Sequence, residues 1–282
     1  MDKKILVICN LENDLVTKYQ ECLEYLPLSN EETDRAWEEI LKKYKPKVII
    51  FGLQTINEEK LSLWRKLQPS DTLKFVRKGV SLHRVDFVAA KKYTIEVLNT
   101  PGVNAPFVAE FITKLLIDKQ TKNGLVGVLG VGHIGKKVVV KLLAAGLQVL
   151  VCNRTQYHFN NKNYSYVNDL FELFSKADQI AICLPLTEQT TGIITEQHVQ
   201  AISQNGQVIC ISPPRVMSAK AVVALHARED IDVTFDHVSS GLQFIQEALG
   251  HNHLRKNFIF EEKAAASHEC QYAMGEAAIL KC

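Results

Sequence analysis

Gly130-Val131-Gly132-His133-Ile134-Gly135 has the spacing G-x-G-x-x-G. Between a strand and a helix, each glycine of such a turn has a physical task. The first makes the tight turn, the second lets the backbone approach a pyrophosphate, and the third lets helix and strand pack closely. A helix opening at His133 turns free N–H groups and the positive end of its dipole toward the phosphates. Outside that setting the pattern is only a glycine-rich turn. The next apolar run ends Val151-Cys152-Asn153-Arg154-Thr155, with Asn153 standing 18 positions after Gly135. About 20 positions after such a turn, an acidic residue ordinarily bonds the ribose 2′-hydroxyl of NAD. A neutral amide removes the repulsion toward a 2′-phosphate, and an arginine can pair with that phosphate bidentately. The expected cofactor is therefore NADP, with NAD possible. Its site would use Gly130, Gly132, His133, Ile134, Gly135, Asn153, Arg154 and Thr155. The plainer alternative for Arg154 is a solvated loop residue.

The elements around these residues supply the setting. Short apolar runs at Ile5–Cys9, Val48–Phe51, Leu73–Val76 and Ile95–Leu98 read as buried parallel strands. Between the first two, Glu32–Tyr44 places Ala36, Trp37, Ile40 and Leu41 at helical spacing. A second series has strands at Leu125–Leu129, Gln148–Cys152, Gln179–Cys183, Gln207–Ile211, Asp232–Phe235 and Phe258–Phe260. Helices are expected at His133–Ala145, Asp169–Ser175, Thr195–Ser203 and Ser218–His226, with a last one near Gln271–Leu280. The alternation predicts an α/β protein with parallel sheets and right-handed crossovers. Thr100-Pro101-Gly102 is turn chemistry before a helix at Ala105–Ile117, and marks the expected boundary.

The chain has 282 residues, which points to about two domains. Its 33 basic and 31 acidic residues leave a formal charge of +2, so charge gives no case for nucleic acid or a membrane surface as partner. No apolar run reaches the ~20 residues that span a bilayer, and the start MDKKILVICN does not read as a signal peptide. The seven cysteines are odd in number and mostly sit in apolar runs, which points to buried thiols in a reducing, cytoplasmic setting. No metal is expected: the cysteines lack C-x-x-C spacing, and His251 and His253 form an H-x-H without further ligands.

Further segments carry a family resemblance. They are Leu73–Val76 through Val85-Asp86, then Asn99-Thr100-Pro101-Gly102-Val103-Asn104 with Val108-Ala109-Glu110, then Leu184-Pro185-Leu186-Thr187 with Thr190, and lastly Asp236. In these the chain resembles the D-isomer-specific 2-hydroxyacid dehydrogenases. The resemblance implies two Rossmann-like domains: a flavodoxin-like substrate domain (1–100 plus 263–282) and a doubly wound NAD(P)-binding domain (101–262). It implies an active site in the cleft and an oxidoreductase acting on a 2-oxo or 2-hydroxy acid. It adds Leu184, Pro185, Thr190 and Ser212 to the cofactor site, and Asp236 as the residue that holds the carboxamide. Val80 and Ser81 become the substrate-binding loop, where the family usually has a glycine at the place of Ser81.

The departures bear on activity. The family uses an arginine on the substrate carboxylate and carbonyl, a histidine that moves the proton, and a glutamate that raises the histidine pKa. In Ile211-Ser212-Pro213-Pro214-Arg215-Val216 only Arg215 can be the arginine, displaced by about one residue; Gly241 stands at the glutamate position. Ungapped counting puts Lys263 at the histidine position, with His268 five residues later. Arg215 with Lys263 or His268 is thus the expected catalytic set for an NAD(P)-dependent enzyme with a small-molecule substrate. The alternatives are a loop lysine, a helix-starting histidine, and a catalytically silent cofactor-binding sensor or interaction protein. Only 20 positions separate Glu110 from Gly130, a span in which the family also carries a dimer-forming arm. The expectation is that no arm-mediated dimer forms.

Overall fold

The structure, a computed structural model, describes residues 5–119, 124–236, 238–250 and 254–282. It divides into two units, Met1–Asn104 with Ser267–Cys282, and Ala105–Ala266.

Unit 1 has five strands: β1 (Ile5–Val7), β2 (Leu23–Tyr25), β3 (Val48–Phe51), β4 (Leu73–Arg77) and β5 (Ile95–Asn99). Their order is β2-β1-β3-β4-β5 and every pairing is parallel. A parallel sheet is covered on both faces, which is why its strands read as unbroken apolar runs. This is the flavodoxin-like order, with its topological switch between β1 and β3. Trp37, Phe51 and Trp64 converge on Phe75, Trp64 meeting it edge-on at 4.6 Å. The last helix, His268–Ile279, buries Ala278 and Ile279 in the same cluster as Val7 and Leu15.

Unit 2 has seven strands: β6 (Leu125–Leu129), β7 (Gln148–Cys152), β8 (Tyr164–Val167), β9 (Gln179–Ile182), β10 (Gln207–Cys210), β11 (Asp232–Phe235) and β12 (Phe258–Phe260). The order is β12-β11-β10-β9-β6-β7-β8, all parallel, a doubly wound sheet whose switch lies between β6 and β9. The expected α/β class with two Rossmann-like sheets is what the chain adopts.

Two strands lay outside the sequence reading. Leu23–Tyr25 is three residues long, and Tyr164–Val167 is half-exposed and follows a polar Asn/Lys run, so neither carries a clear apolar signal. Helices Asn13–Lys18, Glu58–Leu67, Phe87–Lys92 and Val238–Ala248 were also unanticipated. The helix expected at Thr195–Ser203 is shorter, Glu196–Gln200. All seven cysteines are unpaired thiols. Among the described residues no helix is long and apolar enough to cross a membrane, and no group of three His, Cys, Asp or Glu is placed to hold a metal ion. His251, His253 and residues 120–123 of the short span lie outside the described residues.

Candidate functional site

The glycine turn joins β6 to the helix His133–Ala144. Gly130 sits at φ +90°, a conformation that favours glycine, and its N–H donates to the Cys152 carbonyl at 2.9 Å. A Cβ on Gly135 would run into the Gly130 carbonyl oxygen. A Cβ on Gly132 would meet nothing within 4 Å. The first and third glycines are therefore demanded by the chain itself. The second borders open space at a helix N-terminus, the place a pyrophosphate would take.

That space is a cavity of about 500 Å³ at the carboxyl ends of β6, β7 and β9, lined in part by Gly130, Gly132, Asn153, Arg154, Pro185 and Thr190. Thr155 and Leu184 also line it, whereas His133, Ile134 and Gly135 lie behind the turn in the first helical residues. Asn153 is committed on both sides: Oδ1 accepts from Val131 N–H at 3.0 Å and Nδ2 donates to the Thr155 carbonyl at 2.6 Å. The Tyr166 hydroxyl donates to the Asn153 carbonyl at 2.6 Å. Arg154 is exposed, and no Asp or Glu lines the cavity. Beneath it, buried Ser212 accepts from Leu184 N–H at 2.7 Å and donates to the Ile182 carbonyl at 3.2 Å, tying β9 to the segment after β10. Thr190 closes the Pro185–Thr190 loop by donating to the Pro185 carbonyl at 2.5 Å. Glycine turn, open cradle and donor set all fit a dinucleotide.

Of the residues expected to do chemistry, Arg215 and Lys263 belong to unit 2 and His268 to unit 1. Arg215 is exposed in a single 3-10 turn, Pro214–Val216, its guanidinium 5.1 Å from the Phe244 ring centre. Lys263 is 68% exposed and its ammonium pairs with Glu261 at 2.7 Å. The backbone N–H groups of Lys263 and Ala264 donate to Asp236 Oδ1 at 2.7 and 3.1 Å. Burial raises the Asp236 carboxyl above its ordinary range, against the lowering effect of those two donors. In unit 1, His268 opens the last helix, with Nδ1 2.9 Å from Glu12 and Nε2 3.4 Å from Asp14. The hydrogen bond to Glu12, then the nearby Asp14 charge, raises the His268 pKa. Val80 and Ser81 line a second cavity, of about 560 Å³, at the carboxyl ends of β1, β3 and β4.

Residues 112–240 match the family model described as "D-isomer specific 2-hydroxyacid dehydrogenase, NAD binding domain". Over these residues the chain is similar to that NAD-binding domain. A hydroxypyruvate reductase of Thermotoga maritima is 30% identical over 168 residues, 51% of this chain and 54% of that protein. A hydroxyphenylpyruvate reductase of Plectranthus scutellarioides is 28% identical over 173 residues, 52% of this chain and 55% of the relative. The chain thus spans about half the length of the curated relatives it matches. In fold it resembles the crystal structure of a D-isomer-specific 2-hydroxyacid dehydrogenase from Polaromonas sp., with TM-score 0.77 and 18% identity over 99% of this chain and 94% of the other. The NAD+-bound 3-phosphoglycerate dehydrogenase of Entamoeba histolytica gives TM-score 0.74 at 21% identity, over 100% and 95% of the two chains.

Against the 2-hydroxyacid dehydrogenase pattern, one departure has a clear physical cause. A Cβ at Gly241, where the resemblance would place a glutamate, would meet the Pro214 ring well inside contact distance, so a side chain there requires that ring to move. Three residues of interest were missed in the sequence. Tyr166 was hidden with its strand, while Arg77 and Lys78 line the unit 1 cavity. Two basic residues at the carboxyl end of the buried run Leu73–Val76 were the signal that could have found them.

Proposed function

We propose that this chain is an NADP(H)-dependent oxidoreductase acting between a 2-oxo acid, or a related carbonyl compound, and its 2-hydroxy form. The observation that carries the reading is the unit 2 cavity: an open glycine cradle bordered by Arg154 and by no carboxylate. Gly130–Gly135 would hold the pyrophosphate, Arg154 and Thr155 the 2′-phosphate, and Leu184, Pro185, Thr190 and Ser212 the loops around the base and ribose. Asp236 would meet the carboxamide. When bound, the nicotinamide supplies or accepts a hydride. Val80 and Ser81 would hold the substrate and exposed Arg215 would bind its carboxylate and polarise the carbonyl. Lys263 or His268 would move the proton, Lys263 ranking first by position. The names of the relatives, reductases of hydroxypyruvate and hydroxyphenylpyruvate, support the 2-oxo acid class. Calorimetry tests the cofactor. Arg154→Ala should weaken NADPH binding by about 1–3 kcal/mol, the loss of a charge-assisted hydrogen bond, and leave NADH little changed. Equal or tighter NADH binding by the unmodified protein overturns the NADP(H) preference.

A second reading has its own observations. The Pro214–Gly241 contact excludes the glutamate, and Glu261 already neutralises Lys263. Both favour a cofactor-binding protein without turnover. Tight NADPH binding with no oxidation across a broad 2-oxo acid panel would decide for it.

A further inference from the structure

We propose that unit 1 binds a small acid with two negative charges on Arg77 and Lys78, so that the substrate carries a second acidic group, a carboxylate or a phosphate. This rests on the reading of Val80 and Ser81 as substrate-binding. β4 runs out into Arg77-Lys78-Gly79-Val80-Ser81 along one wall of the 560 Å³ cavity. Lys78 is only 9% exposed, and its ammonium donates to the Asn10 carbonyl at 2.8 Å. Arg77 is half-buried; its guanidinium donates to the Lys78 carbonyl and lies 5.9 Å from the Phe51 ring centre. Carbonyls and a ring face orient these cations but do not neutralise them. Among the described residues neither makes an ion pair, and no Asp or Glu lines the cavity.

A cation taken out of water is unfavourable unless paired, and a like charge beside it adds to the penalty. Burial pulls both groups below their ordinary pKa values, and the Arg84 charge depresses Arg77 further. Among the described residues no ion pair to either cation offsets this. The Cys9 thiol beside them is pushed up to about 11 by burial and stays neutral. Glu12, the carboxylate that acts on Lys78, is engaged by His268 at 2.9 Å. The cavity sits at the β1/β3 switch, where open parallel sheets take their ligands. Asn10 and Asn30 line it; Asn30 donates one amide hydrogen to the Leu53 carbonyl and keeps a second for an anion, whereas the Ser81 hydroxyl is engaged by His83 Nδ1 at 2.6 Å. Gln54 offers no donor, because its amide holds the Ile8 and Leu28 carbonyls and the Gly52 N–H. A monocarboxylate would answer one cation; a dianion answers both.

Calorimetry on the full-length, nucleotide-free protein at constant ionic strength tests this with malonate, inorganic phosphate and acetate. Malonate or phosphate should bind at least ~10-fold more tightly than acetate, and Lys78→Gln should reduce the preferred dianion to the acetate level. Preference for malonate alone identifies a dicarboxylate, and preference for phosphate alone a phosphorylated acid. Acetate binding as tightly as both dianions overturns the proposal, as does undiminished dianion affinity in a folded Lys78→Gln. If Lys78→Gln does not fold, Arg77→Gln makes the same comparison. No nucleotide takes part, so failure here leaves the NADPH reading intact, and failure of NADPH to bind leaves the anion site intact.

Discussion

The glycine turn after β6 and the loops after β10 and β11 belong to the same sheet but are under different constraints. In the turn, Gly130 takes a positive φ, Gly135 lets the helix start against a carbonyl oxygen, and Gly132 borders open space. After β10, Pro214 fills the space that a side chain at 241 would need, and Arg215 packs over Phe244. The turn is held by backbone constraints at Gly130 and Gly135, whereas the segments after β10 and β11 meet where the Pro214 ring lies against Gly241. Two regions of one sheet thus exclude a side chain at glycine for different reasons: backbone against backbone in the first, a proline ring against a helix in the second.

The sharpest test of that contrast lies within the turn. Gly135→Ala pushes a methyl group into the Gly130 carbonyl oxygen, and backbone cannot give way as a flexible side chain would. The expected loss is at least about 3 kcal/mol, the upper end for overpacking, read as a lower denaturation midpoint. Gly132→Ala meets open space, so stability should stay within about 0.5 kcal/mol. Its NADPH affinity should nevertheless fall by ~10-fold or more, since the methyl occupies the pyrophosphate's place. If Gly132→Ala binds NADPH normally, the cradle is not the dinucleotide site.

The contrast also explains what could be read from sequence. Unbroken runs without a charged or polar side chain, such as Leu125–Leu129 and Val48–Phe51, announce strands buried on both faces, and the structure has these two at the expected residues. Tyr164–Val167 announces nothing, because it lies at the sheet edge, half-exposed, where burial does not force an apolar pattern. In the candidate cofactor site, the G-x-G-x-x-G spacing of Gly130–Gly135 falls on a turn between a strand and a helix, and the Asn153 Oδ1 accepts from the Val131 N–H beside it. The Pro214–Gly241 contact was illegible: it joins residues 27 positions apart, and only coordinates show that one forbids a side chain at the other.

That contact makes the next prediction. Gly241→Ala should destabilise unit 2 by about 1–3 kcal/mol, because the new Cβ meets the Pro214 ring. Combining Gly241→Ala with Pro214→Ala should return part of that loss, since neighbours sharing one contact are not additive. Denaturant unfolding of the four proteins in the cycle checks this. Strict additivity would mean that residues 214 and 241 do not share this contact.

The smallest expected effect concerns His268, which separates a helix-starting role from a proton-moving one. Its hydrogen bond to Glu12 and the nearby Asp14 raise its folded pKa above the unfolded value near ~6.5. A raised folded pKa means that the folded protein holds the proton more tightly. The resulting stability is fully present below the unfolded pKa and disappears as pH rises through the folded pKa. His268→Gln should therefore lower the unfolding midpoint slightly at pH 5.5 and not at pH 9, the effect being small because the ring is 57% exposed and screened by solvent. Lys263→Met, run beside it, should leave stability unchanged at both values, since the Lys263–Glu261 pair lies in an exposed loop. Once a substrate is in hand, the same two variants divide the chemistry. If Lys263 moves the proton, Lys263→Met loses turnover while His268→Gln keeps it, with only the acid-side stability change. Loss of turnover in His268→Gln at pH 9, where its ion pairs no longer contribute to stability, would instead assign the proton to the histidine.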